Sequence, residues 1–287
     1  MLWRIGLSLC ATALTGVLLA CSVRVPDQPP AAATPAAITA TTTTTTKTST
    51  IEHPNLAKEV TDAVTSVVPG TSVSFVLYDK ETGQTPVSVN AGTQRYTASV
   101  VKLLIAMDAL HTGGWHAPSN GRIAEMLSLS DDGVADSLWA ADGQGTIVTR
   151  MARLIGLKHT TGPRIADQWE MTSTTADDLA AIYRYLTDEV PAVAADPLLD
   201  ALAAAKNPAA DGFQQYFGIP DGLPGRQWAV KQGWMEIQRS VVLNTTGIVD
   251  DRYIVVLLAE LPAGTSFARG RPALTAGISA IAPALPG

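Results

Sequence analysis

From Ser99 to Leu110 the chain is apolar on nearly every helical face, with one lysine, Lys102, inside the run. A helix at a surface carries a polar stripe, so a helix without one must be wrapped on all sides by other elements. Lys102 then either snorkels out or is buried with partners. Burial disfavours the charged amine and lowers its pKa, which makes a base near neutral pH. Ser99 stands three residues earlier, one turn away on the same face. At a helix N-terminus it also has free backbone N–H groups and the positive end of the dipole beside it. This is the pattern of an activated nucleophile. The bland alternative is a helix cap followed by a solvated charge.

The elements that could wrap such a helix lie at both ends of the chain. Leu56, Val60, Val64 and Val68 recur at helical spacing. Ser72 to Tyr78 reads as a strand, 79–84 as a turn, and Val87 to Val89 as a second strand. After the buried helix come helical segments at Arg122–Leu127, Val134–Ala141, Ile147–Gly156, Ala176–Leu186 and Pro197–Ala205. Thr174 or Thr175 caps the fourth of these, with Asp177 and Asp178 in its first turn. Strands return at Trp228–Lys231, Ser240–Ile248 and Arg252–Leu261, the last pair joined by a turn at Asp250-Asp251. A helix over about Pro272–Ala282 follows. The order predicts an α/β (α+β) fold: an antiparallel sheet flanked by helices, built from both chain ends, with an inserted all-helical lobe at about 97–212. No internal repeat is present.

Three short motifs stand in order: Ser99-Val100-Val101-Lys102, Ser130-Asp131-Asp132 and Lys231-Gln232-Gly233. Together with Tyr96-Thr97-Ala98 and Thr174-Thr175-Ala176-Asp177-Asp178-Leu179-Ala180, they resemble the serine β-lactamase and penicillin-binding superfamily, class A-like members in particular. That signature is S-x-x-K, S-D-N and K-T-G or K-S-G. The resemblance spans nearly all of residues 51–287. It implies Ser99 as nucleophile, Lys102 as its base, and Ser130 as proton relay to the leaving nitrogen, with Lys231 polarising that relay. It also implies an oxyanion hole from the backbone N–H groups of Ser99 and Trp234. Asp132, Gln232 and Gly233 would line the substrate site. Arg239 resembles the arginine that some class A members use to attract a substrate carboxylate; a solvated strand charge is its other reading.

The pattern also breaks. Asp132 stands where the family has asparagine, so an ionised acceptor replaces an amide donor, and an acid beside Lys102 would hold that amine protonated. Gln232 replaces a small hydroxyl residue; it can still donate, but it is bulkier. The Ser99–Ser130 interval is short for class A. Glu170 and Asp167 are the local carboxylates where a deacylating glutamate would be sought, and Glu170 lies too close to the following helix to match. An acyl-enzyme would therefore persist. His53, His111, His116 and His159 lack metal-ligand spacing, so neither a metal nor another cofactor is expected.

The N-terminal residues bear on compartment. Arg4 precedes an apolar stretch to Ala20, of signal-peptide length and shorter than a membrane span requires. It ends in Leu18-Leu19-Ala20-Cys21, which resembles a bacterial lipobox. The expected organisation is a lipoprotein signal peptide at 1–20, a lipidated Cys21 with a flexible Thr/Ala/Pro tether to residue 50, and one domain over 51–287. The partner is then the membrane, through the lipid on Cys21, with the domain at the extracytoplasmic face. Cys10 is the second cysteine, so the mature domain has no thiol and no disulfide. Hydrophobic content of 46% supports a sizeable core, and a net charge of −6 offers no footprint for nucleic acid. Three functions follow in order: an envelope acyl-serine hydrolase or penicillin-binding-like protein acting on a cell-wall peptide or small amide or ester; a catalytically impaired binding or scaffolding lipoprotein; and a true β-lactamase.

Overall fold

A computed structural model describes residues 53–115 and 121–286. The leader, Cys21, the tether and His116 lie outside these residues. Five antiparallel strands form one sheet in the order β2-β1-β7-β6-β5: β1 (Ser72–Asp79), β2 (Gln84–Val89), β5 (Trp228–Ile237), β6 (Ser240–Val249) and β7 (Tyr253–Pro262). The first two strands and the last three thus come from opposite ends of the domain, as the element order predicts.

Strand periodicity divides the core into two layers. Val255, Leu257, Ala259 and Leu261 of β7 face α1 (Leu56–Val67) and α9 (Phe267–Ser279), while Ile254, Val256 and Leu258 face the helical lobe. A strand covered on both faces reads as one apolar run. The lobe comprises α2 (Lys102–Thr112), α3 (Arg122–Ser128), α4 (Asp132–Ala141), α5 (Gly145–Ile155), α6 (Ala176–Asp188) and α7 (Ala192–Ala203). Ile105, Ala106, Met107 and Leu110 of α2 are buried, as the missing polar stripe requires. The lobe is not purely helical. A two-residue strand β3 (Arg95–Tyr96) pairs with β4 (Ser173–Thr174), and Thr97 N–H donates to the Thr172 carbonyl at 2.9 Å. Segments this short leave no periodicity to read.

Caps and prolines set the helix ends. Of the two candidate threonines it is Thr175 that caps α6, accepting from Asp178 N–H at 3.1 Å. Thr175→Ala is expected to cost about 1 kcal/mol, seen as a lower urea midpoint with an unchanged slope. The helices expected to start at Pro197 and Pro272 start five residues earlier, with each proline inside. A proline removes the bond to the carbonyl four residues back. Those residues, Val193 and Ala268, are exposed, so the freed carbonyls are open to water. The small helix α8 (Ile219–Gly222) leads into β5.

Candidate active site

The apolar context of Lys102 resolves as burial. Ser99 lies in a tight turn of 3-10 helix, Ala98–Val101, that leads into α2, and Lys102 is 0% exposed at the first residue of that helix. The amine donates to Ser99 Oγ at 2.9 Å, to the Ser130 carbonyl at 3.0 Å, and lies 3.4 Å from Ser130 Oγ. Lys231, 1% exposed on β5, donates to the same Ser130 Oγ at 2.9 Å. Ser130 turns its hydroxyl between the two amines from a backbone of φ +55°, strained for a residue with a Cβ. The following residue, Asp131, caps α4 through Val134 N–H. The structure thus joins Ser99 Oγ, the Lys102 amine, Ser130 Oγ and the Lys231 amine in one chain of contacts.

Burial is the largest influence on both lysines and pushes both pKa values down. It is opposed at Lys102 by Asp132, and reinforced at Lys231 by the charge of Lys102. Asp132 Oδ1 meets the Lys102 amine at 2.5 Å, while the Asp132 side chain is 59% exposed. The acid therefore returns part of what burial takes from the charged form.

Strand β5 supplies the opposite wall. Lys231 pairs with Thr246 and Gly233 with Asn244, so these side chains share the lobe-facing side of the sheet. The Gln238-Arg239 turn is closed by the Ile237–Ser240 pair, and at the other end Asp250 N–H donates to the Gln227 carbonyl. Hydrogen-bonded and non-bonded pairs alternate along an antiparallel ladder. Trp234 therefore falls in a non-bonded pair, with its N–H pointing off the open edge of the sheet. That orientation suits an oxyanion donor. Spacing to the Ser99 turn is set by Gly233, where a Cβ would lie 2.7 Å from the Thr97 carbonyl oxygen. Gly233→Ala must push strand and turn apart, and is expected to lower acylation of Ser99 about 10²-fold, measured as adduct formation by intact mass.

Other expected residues sit differently. Gln232 turns to the face opposite Lys231, where its Nε2 donates to the carbonyls of Gln215 at 3.1 Å and Phe217 at 2.7 Å. Its donors are spent, so it is not available to hydrogen-bond a substrate. Arg239 is exposed in the β5–β6 turn, not at the start of a strand. It lies six residues beyond Gly233, about 20 Å along a strand, and does not reach the site. Glu170 lies in a short 3-10 turn, Trp169–Met171, with a carboxyl pushed up first by burial and then by Asp132, Asp136 and Asp167; Asp167 is exposed nearby. His53, His111 and His159 are not brought together.

Several site residues escaped sequence reasoning. Trp169 lays its ring 4.4 Å from the Lys102 amine and donates from Nε1 to Asp136 at 2.7 Å. Asn244, wholly buried, donates to the carbonyls of Tyr96 and Thr97, both at 3.0 Å, and so ties β6 to the Ser99 turn. Thr246 donates to the Lys231 carbonyl at 2.7 Å and contacts the buried Tyr183 hydroxyl at 2.8 Å. The polar break in an otherwise apolar β6, Asn244-Thr245-Thr246, was the available signal.

No protein-family model matches the chain. Proteins of Mycobacterium tuberculosis and Mycobacterium bovis, each named “Putative lipoprotein LppW”, are 36% identical to it over 235 residues, covering 76% of this chain and 72% of theirs. The chain belongs to the LppW family. Its architecture is that of the serine β-lactamase and penicillin-binding fold. PBP-A superimposes with a TM-score of 0.63 at 17% identity, over 80% of this chain and 96% of PBP-A. A β-lactamase from Burkholderia vietnamiensis gives 0.65 at 18%, over 81% and 97%. In this LppW-family chain the fold therefore carries the four polar side chains expected at its centre, together with an acid on the lysine and a tryptophan beside it.

Proposed function

We propose that the chain is an envelope-anchored acyl-serine hydrolase of penicillin-binding type, acting on a cell-wall peptide or another small amide or ester. The observation that carries this reading is the shared contact of two fully buried amines with the hydroxyls of Ser99 and Ser130. Neutral Lys102 takes the Ser99 proton as Ser99 Oγ bonds to the substrate carbonyl carbon. The resulting oxyanion is held by the N–H groups of Ser99 and Trp234. The bond to the leaving nitrogen or oxygen then breaks as that atom receives a proton through Ser130, which Lys102 resupplies. Water finally cleaves the Ser99 ester. The test is intact mass after incubation with a fluorescent penicillin. One adduct is expected, absent in Ser99→Ala; no adduct from several acylating probes would sink the reading. A PBP-A mutant has itself been solved as an acyl-enzyme with penicillin G.

Deacylation is expected to be slow. The Trp169 ring lies 4.4 Å from the Lys102 amine, where an activated water would need room, and among the described residues the Glu170 carboxylate makes no hydrogen bond to Ser99, Lys102 or Ser130. Rapid turnover of a chromogenic cephalosporin would contradict this and favour a true β-lactamase. Trp169→Ala should admit water and shorten the acyl-Ser99 lifetime about tenfold, followed as loss of adduct mass after dilution.

The Lys102–Asp132 pair favours a second reading, a binding or scaffolding domain in which the amine stays protonated. A partner complex that survives Ser99→Ala, without turnover, would support it. In either reading the domain is held at the extracytoplasmic face by lipid on Cys21, supported by the leader sequence and by the name of the mycobacterial relatives. Incorporation of labelled palmitate that is lost in Cys21→Ala tests the anchor.

A further inference from the structure

The charge around the nucleophile is one-sided. Lys102 and Lys231 form the floor and are buried and fully engaged. The exposed charged groups beside that pair are carboxylates: Asp132 at the start of α4, on the Lys102 amine, and Asp211 on the loop before α8, bonded to a Trp234 indole whose ring lies 5.8 Å from the Lys231 amine. Asp132 spends Oδ1 on Lys102 and is 59% exposed. Asp211 accepts from Trp234 Nε1 at 3.0 Å, and the Trp234 indole is stacked on Phe213 at 4.2 Å with an interplanar angle of 5°. A carboxylate held at the edge of a partly exposed indole, with Phe213 on one ring face, is chemistry that can receive an alkylammonium group. Groups that would welcome an anion are turned elsewhere: the Gln232 amide to loop carbonyls, Arg239 to the distant turn, and Arg271 to the Gln214 carbonyl, with its guanidinium 5.7 Å from the Phe213 ring.

Resting on the acyl-serine reading, we infer that the substrate carries a positive charge beside its reactive carbonyl, an ammonium or guanidinium group received between Asp132 and the Asp211–Trp234 pair, and no carboxylate there. With carboxylates on both sides of the lysine pair, a cationic acyl donor gains while an anionic one is repelled. Asp132 is then a specificity residue as well as the partner of Lys102.

The probes are three 4-nitrophenyl esters of matched shape, whose acyl chains end in trimethylammonium, tert-butyl or carboxylate. With the full-length chain in detergent, Ser99 Oγ forms the ester, 4-nitrophenolate leaves, and adduct mass gives the rate. The cationic ester should react about tenfold faster than the neutral one and the anionic one slowest. That spread should shrink with added salt and collapse in Asp132→Asn, where the ratio, not the absolute rate, is read. A neutral ester as fast as the cationic one, or a fastest anionic ester, overturns the inference. The corresponding unreactive amides are titrated into Ser99→Ala by calorimetry, which needs no chemistry. If no ester acylates Ser99 but the cationic amide still binds tightest, the acyl-serine reading fails and the charge preference stands. If the cationic amide binds no better than the neutral one, the preference fails whatever the esters do.

Discussion

Lys102→Met is expected to slow acylation of Ser99 by about 10²- to 10⁴-fold without unfolding the protein. Methionine fills the same buried space beside Trp169, and Asp132, already 59% exposed, is resolvated when its partner goes. The pH profile makes the role of the amine separable from simple packing. The base must be neutral, so the wild-type rate rises with pH through the Lys102 titration and levels above it. Burial sets that titration below the ordinary lysine range, and Asp132 pulls it part of the way back. Asp132→Asn removes the opposing influence, so its rising limb must move to lower pH and its rate at neutral pH must increase. Lys102→Met should be slow at every pH. Adduct rates between about pH 5 and pH 10 decide the point, and a limb displaced to higher pH in Asp132→Asn would remove Lys102 from the role of base.

The second large effect concerns the helix that carries this lysine. Asp108 of α2 is 0% exposed, and Arg150 of α5 grips it with Nε at 2.8 Å and Nη2 at 2.5 Å, while also donating to the Asp142 carbonyl. Arg150→Met leaves a buried carboxylate without its cation and is expected to cost about 3 kcal/mol of stability. Replacing both members, Asp108→Leu with Arg150→Met, should recover most of that loss, because removing the second charge removes the desolvation that the pair had offset. Urea midpoints of the two variants test this; a double variant no more stable than the single one would mean that the pair itself holds α2 on α5.

The fold was legible where burial writes itself into composition. The nearly all-apolar Ser99–Leu110 run, the helical spacing of Leu56, Val60 and Val64, and the continuous apolar β7 each announced how many faces were covered. Boundaries at Pro197 and Pro272 were not legible, because a proline costs one hydrogen bond, and whether that cost is bearable depends on solvent at the residue four back. The sequence pattern of β5 stops at Lys231 because Gln232, Gly233 and Glu236 carry no strand signal; the ladder with β6 holds them extended.

Sequence alone determined that a serine and a lysine share one face of a helix without a polar stripe, since three residues make nearly a turn; whether the amine snorkels out or is buried it left open. It also gave the order of the elements, because amphipathic period is a local property. The tertiary structure decided what a local pattern cannot carry: that Ser130 bridges two amines 129 positions apart in sequence (231 − 102), and that Gln232 turns away while Arg239 stays remote. It alone put a tryptophan ring, an asparagine and a carboxylate around Ser99 and Lys102. Contacts between residues far apart in the chain are chosen by packing, and packing exists only once the chain has closed on itself.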